Sequence, residues 1–177
     1  MARYSSELLT QARILASHEP RRPKQASLRR SISASYYSFF HFLIEEVTRL
    51  TIGSGHNRTA LRHFAGRAFL HGQMKAVCEE FTKATPKSVA LKPFWLAYAV
   101  QGNADLKAIA ESFIELQKAR HAADYNPAAK FARHDAESAS DQTRDAIAAW
   151  NRLKSKHENL ALLFAVSLMV WPGLTGK

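Results

Sequence analysis

The chain has 177 residues, 46% of them hydrophobic and 23% charged, with a formal net charge of +10. That is the composition of a soluble globular protein, one domain or one domain with an appendage, long enough to bury a proper core. A single cysteine excludes an internal disulfide. The most apolar run, Leu160–Trp171, is too short for a membrane helix, which needs about 20 residues.

Residues 1–75 hold 12 Lys/Arg against 4 Asp/Glu, whereas residues 76–177 hold 13 against 11. A basic first half points to nucleic acid, an acidic protein or an anionic surface, although solvated basic faces also occur without a partner. Met1–Ser17 is amphipathic and polar, so no secretory leader is expected. With the lone Cys78 read as a small core residue, the expected compartment is the cytoplasm, with no membrane association.

In chain order, Ser5–Ser17 reads as an amphipathic helix. His18–Lys24, with two prolines and three cations, reads as a loop able to touch an anion. The second helix, about Gln25–Leu50, carries Leu28, Ile32, Tyr36, Phe39, Leu43, Val47 and Leu50 at spacings of three and four. Tyr37, Phe40 and Ile44 widen that stripe, and Ser31, Ser33, Ala34 and Ser35 allow close helix approach. Thr51–Asn57 is a turn, and Asn57 or Thr59 is expected to cap the next helix. Its Gly-Ser-Gly is a weak phosphate-cradle signal.

Arg58–Phe69 reads as a short basic helix, with Gly72–Thr82 a continuation or a separate helix. Thr85–Pro93 is a loop, and Phe94–Val100 is an apolar segment expected to dock on the bundle. Ala104–Ala123 is a helix ended by Asn126-Pro127, because the residue before proline resists the α region. A last helix starts at about Asp135. It is either interrupted at His157–Asn159 or continuous through Trp171, and Pro172-Gly173 is expected to stop it. No strand-like alternation is present, so the fold class is all-α.

The candidate chemistry centres on 118–127. Leu106, Ile109, Phe113 and Leu116 form an apolar stripe whose next position is Arg120, with Asp124 four residues on. An arginine cannot shed its charge, so there it must be paired, partly wet or waiting for an anion. A basic residue near a helix C-terminus also meets the favourable end of the dipole. Arg58, Arg62, His63 and Arg67 form a basic cluster at helical spacing, and Arg58 and Arg62 repel as i,i+4 neighbours unless something answers them. Adjacent Glu45-Glu46 and Glu79-Glu80 point about 100° apart on a helix and read as solvated faces rather than catalytic pairs. The histidine spacing does not suit a metal site, and no cofactor or metal is expected.

Several of these residues resemble a known family. Leu28-Arg-Arg-Ser-Ile-Ser-Ala-Ser-Tyr-Tyr-Ser-Phe-Phe resembles the Ala-x-Tyr-Tyr-x-x-Phe helix of the HEPN (higher eukaryote and prokaryote nucleotide-binding) superfamily. Gly55-His56 before a helix, and Arg120-His-Ala-Ala-Asp124-Tyr125-Asn-Pro, resemble the branch often encoded beside minimal nucleotidyltransferases, whose segment is Arg-x-x-Ala-Asp-Tyr. The order of the pieces agrees over about residues 3–155. On this reading residues 1–157 form a HEPN-like bundle with an insertion over about 85–102, and 158–177 form an apolar helical extension.

The resemblance implies an up-down helical bundle that forms a homodimer with a shared basic groove. It implies a toxin–antitoxin or defence role that binds RNA or a nucleotide. Many family members are metal-independent endoribonucleases with an Arg-x4-6-His motif, in which Arg steadies the phosphate and His moves the 2′-hydroxyl proton. Here Tyr125 stands five residues after Arg120, and no histidine follows until His134. The implied catalytic candidates are Arg120, His121 and Tyr125, with Arg58, Arg62, Arg67 and Asp124 as binding residues. The alternative is a non-catalytic module that partners a nucleotidyltransferase-type antitoxin, with Tyr125 as the tyrosine the partner modifies.

Overall fold

The structure is a computed structural model describing residues 3–174, with side chains described up to 171. It is all-α: among the described residues there is no strand. The helices are α1 (Arg3–Ser17), α2 (Gln25–Ile52), α3 (Thr59–Gly66), α4 (His71–Phe81), α5 (Lys92–Ala97), α6 (Ala104–Tyr125), α7 (Arg133–Lys156) and α8 (Glu158–Leu174). Among the described residues no helix is long and apolar enough to cross a membrane.

Two compact units emerge, and neither is a continuous stretch of chain. One comprises residues 3–42 and 112–147, the other 43–111 and 148–174. The segment from 158 onward belongs to the second.

In the first unit, the starts of α2 and α7 and the end of α6 join α1. Small polar residues set the α1–α2 distance. Ser5 Oγ donates to the Ser38 carbonyl at 2.8 Å, Ser38 Oγ donates to the Ser5 carbonyl at 2.8 Å, and Ser31 Oγ donates to the Ala12 carbonyl at 2.7 Å. Side chains of this size let two backbones approach without leaving buried groups unpaired. Thr143 Oγ1 donates to the Ser35 carbonyl at 3.0 Å, doing the same for α7. Along α1 and α2 the pairs Ser5–Ser38 and Ala12–Ser31 run in opposite directions, as do Tyr37–Arg120 and Ser33–Asp124 along α2 and α6, so these neighbours are antiparallel. Tyr36, Phe39 and Phe113 fill the core with rings 5.7–6.3 Å apart.

The second unit is held by aromatic packing among Phe81, Trp95, Trp150 and Phe164. The glutamates expected as solvated faces divide. Glu45 pairs with Arg49 at 2.6 Å, and Glu79 is exposed. Glu46 is instead half-buried, accepting Trp150 Nε1 at 2.9 Å and the Lys154 ammonium. Glu80 is 2% exposed and accepts Lys83 Nζ at 2.5 Å, the Ser88 amide at 2.9 Å and the Lys87 amide. Burial alone would raise both carboxyl pKa values, but the donors outweigh it and both are lowered. Periodicity misread them because a carboxylate is buried where donors converge, and those donors come from other elements or from a loop.

The boundaries also shift. The basic helix expected to Phe69 ends at Gly66, and α4 is a separate helix. Neither Asn57 nor Thr59 caps α3: Arg58 holds that position without a side-chain cap bond. The last long helix is broken at His157, and α8 continues past Pro172-Gly173 to Leu174. α8 buries Leu160, Phe164, Leu168 and Trp171 and leaves Leu162, Val166 and Val170 on an exposed stripe. Cys78 is fully buried, and burial raises its thiol pKa well above the usual cysteine range.

Candidate functional site

The stripe of α6 that begins at Leu106 does place Arg120 against another helix. α2 meets it with Ser33 and Tyr37, four residues apart and therefore one above the other on the helix surface. Arg120 Nε lies 2.8 Å from Asp124 Oδ2, with the two side chains only 15% and 20% exposed. The approach is off the N–H axis, so Nε makes no hydrogen bond and the contact is an ion pair. Asp124 Oδ1 accepts Ser33 Oγ at 2.5 Å. Arg120 Nη2 donates to Tyr37 Oη at 2.6 Å and lies 3.4 Å from Tyr125 Oη.

The guanidinium carbon is 5.3 Å from the Tyr37 ring centroid and 5.2 Å from that of Tyr125. Two ring faces at that range attract a cation by roughly 0.5–2 kcal/mol each, more as water is excluded. Burial disfavours the charge, but Tyr37, Asp124 and Tyr125 outweigh it, and the arginine's pKa is raised. Arg120 is therefore a permanent cation in a cage of aromatic rings and one carboxylate.

The cage is incomplete. Nη1 makes no hydrogen bond among the described residues, yet it is not among the buried unpaired atoms, so it remains an accessible donor. Tyr125, the outer wall, is 62% exposed. Gln117, one turn before Arg120 on the same helical face, has a buried Oε1 with no hydrogen-bond partner. Arg30, seven residues before Tyr37, shares the Tyr37 face of α2 about 10 Å further along. It is exposed, with no partner among the described residues. An anion arriving at this surface would find one free guanidinium edge, a phenol and a second arginine.

The other candidate residues are placed as follows. His121 is exposed, its ring 5.0 Å from that of Tyr125, and it hydrogen-bonds to nothing among the described residues. His41, one turn beyond Tyr37 on α2, is half-buried with its pKa lowered by burial. Arg58, Arg62 and Arg67 belong to the second unit and hence to a different compact region from Arg120. Arg58 donates to the Ile52 carbonyl. Arg62 Nη1 donates to the carbonyls of Gly53 and Gly55 at 2.7 and 2.9 Å, and its Nη2 donates to Thr59 Oγ1 at 2.9 Å.

The Gly-Ser-Gly turn thus offers carbonyls to arginines, the opposite of a phosphate cradle. Gly53 sits at φ +104°, and a Cβ there would come within 2.9 Å of Arg58 Nη1. Arg67 is exposed, with no partner among the described residues. No grouping of metal-ligating side chains occurs among the described residues.

Sequence reasoning found Arg120, Asp124 and Tyr125 and missed Ser33, Tyr37 and Arg29. Arg29 reaches the carbonyls of Ala123, Asn126, Pro127 and Ala129 at 2.5–3.3 Å and so fixes the turn after Tyr125. The available signal was their placement: Ser33 and Tyr37 are i,i+4 on the face of α2 that also bears Arg30.

Fold and site together define a class: an all-α bundle that displays an aromatic-caged arginine with one free edge. Compared with protein-family models, with curated proteins and with solved structures, the chain gives no significant match in any of the three.

Proposed function

We propose that this chain is a HEPN-type protein of toxin–antitoxin or defence kind, working in the cytoplasm as a homodimer. Its role on this reading is to bind RNA or a nucleotide at the Arg120 surface without cleaving it. The observation that carries the reading is the free Nη1 of Arg120, a permanent cation held in place by Asp124, Tyr37 and Tyr125. A preorganised guanidinium edge suits a phosphate oxygen, and Arg30 on the same face offers a second contact.

Cleavage needs a positioned proton carrier as well. The imidazole beside the arginine, His121, is oriented by no hydrogen bond among the described residues. Tyrosine titrates near 10 and is a poor base at neutral pH. Binding is the chemistry this geometry supports.

The test is incubation of the protein with total RNA in EDTA beside Arg120→Ala, followed by affinity measurement at rising salt. The expected result is intact RNA with binding that falls steeply with salt and weakens in Arg120→Ala. Cleavage that disappears in Arg120→Ala would overturn the binding-only reading, and a flat salt response would remove phosphate contacts from it. A clean monomer in solution would remove the homodimer.

The exposure of Tyr125 favours one further reading, in which a nucleotidyltransferase partner transfers a nucleoside monophosphate from a nucleoside triphosphate to its hydroxyl, with pyrophosphate leaving. A nucleotide attached there would place its phosphate beside the Arg120 guanidinium. Co-expression with that partner should then add the mass of one nucleotide to the wild type and nothing to Tyr125→Phe.

A further inference from the structure

The second unit contains an open surface pocket of about 600 Å³ that the Arg120 reading does not use. That is within the range of small-molecule sites, roughly 300–1,000 Å³. Pro86, Trp95 and Leu96 give it apolar walls, and Thr85, Lys92 and Gln101 give it polar ones.

The walls are fixed from outside. Glu80 clamps the amides of Lys87 and Ser88. The Trp95 indole donates to the Ala84 carbonyl at 3.1 Å and packs against Phe81 at 5.2 Å. The Trp95 N–H is thereby satisfied, so the indole offers the cavity apolar surface only. Ala99, also in the lining, sits at φ +48° in the left-handed region, where a residue with a Cβ is strained.

Within those walls the polar groups are unused. Lys92, Thr85 and Gln101 make no side-chain hydrogen bond or ion pair with the described residues, and all three are exposed. Leu96, at 92% exposure, stands beside them with nothing covering it. The cavity thus joins one free ammonium, two neutral hydrogen-bonding groups and an apolar surface that includes an indole.

We propose that this cavity is a binding site for a planar aromatic anion. Its ring lies against Trp95, Pro86 and Leu96, its carboxylate or phosphate meets Lys92, and Thr85 and Gln101 supply further hydrogen bonds. The site is separate from the Arg120 reading and does not depend on it.

The test is calorimetric titration of the full chain with 2-naphthoate and, as the uncharged control, 2-naphthamide. The expected result is saturable one-to-one binding of the naphthoate. Affinity should be roughly ten-fold or more weaker for the amide and in Lys92→Ala, the loss a charge-assisted bond carries. Lys87→Ala, a neighbouring exposed lysine outside the lining, should bind like the wild type. Absence of saturable binding at millimolar ligand would overturn the proposal, as would equal affinity in Lys92→Ala. Binding insensitive to Lys92→Ala but abolished by Val166→Asp would place the ligand on the apolar stripe of α8, and that outcome would overturn it too.

Discussion

Glu80 and Arg120 are each largely withdrawn from water, one in each compact unit, and their surroundings treat them differently. Glu80 accepts a lysine and two backbone amides, and its side chain is 3% exposed. All its partners lie within eight residues along the chain, so the carboxylate acts as a clasp for the loop after α4. Arg120 draws its partners from two helices and keeps one donor free behind an exposed tyrosine. Complete satisfaction is what a structural charge requires, whereas Arg120 is held with one donor left over, the feature on which its proposed binding role rests.

That contrast can be broken experimentally. Glu80→Ala should cause the largest loss of stability, about 3 kcal/mol in a urea titration, because the buried Ser88 amide, the part-buried Lys87 amide and Lys83 all lose their acceptor. A change below about 0.5 kcal/mol would mean that water replaces the carboxylate and the clasp is not structural. Arg120→Ala should cost less, about 2 kcal/mol, since Asp124 keeps its Ser33 hydrogen bond and Tyr125 is already wet. A double-mutant cycle with Asp124→Asn isolates the pair, and zero coupling would sink the ion-pair assignment.

The smallest effect concerns pH. Burial lowers the folded pKa of His41, which lies between the rings of Tyr4 and Tyr37 at 5.0 and 6.4 Å. Its contribution to stability is fully present above its unfolded value of about 6.5 and is lost as pH falls through the lowered folded value. Urea midpoints of wild type and His41→Phe should therefore converge on acidification through that window. Parallel curves would show that the imidazole is solvated.

Much of the helical framework was legible because it follows from short-range spacing. Leu28, Ile32, Tyr36, Phe39, Leu43 and Val47 are all buried, as their stripe required, while Leu50 at its end is only half-buried. The break in that logic at Arg120 located the candidate site, and the i,i+4 rule supplied Asp124. Tyr37 was read as core because an aromatic beside a core stripe ordinarily packs there. Its hydroxyl is committed to a residue 83 positions away, and no periodicity encodes that. Ser33, 91 positions from Asp124, was read only as small, when its hydroxyl was the relevant property. Glu46 failed for the same reason, its donors Trp150 and Lys154 lying more than 100 positions away, whereas Glu80 failed because its donors are a nearby lysine and the amides of the loop after α4, which helical periodicity does not encode.

Arg29 carries a consequence for the order of folding. Helices usually finish themselves, with the last carbonyls met by nearby residues or water. α6 does so only in part: the Asn126 amide donates to the Ala122 carbonyl at 3.1 Å, while the Ala123 carbonyl is met by a guanidinium 94 residues away in sequence. Closing so long a loop is entropically slow, so the end of α6 cannot acquire its native termination until α2 has docked. The turn after Tyr125 is therefore expected to mature late, its carbonyls staying with solvent until the two helices meet.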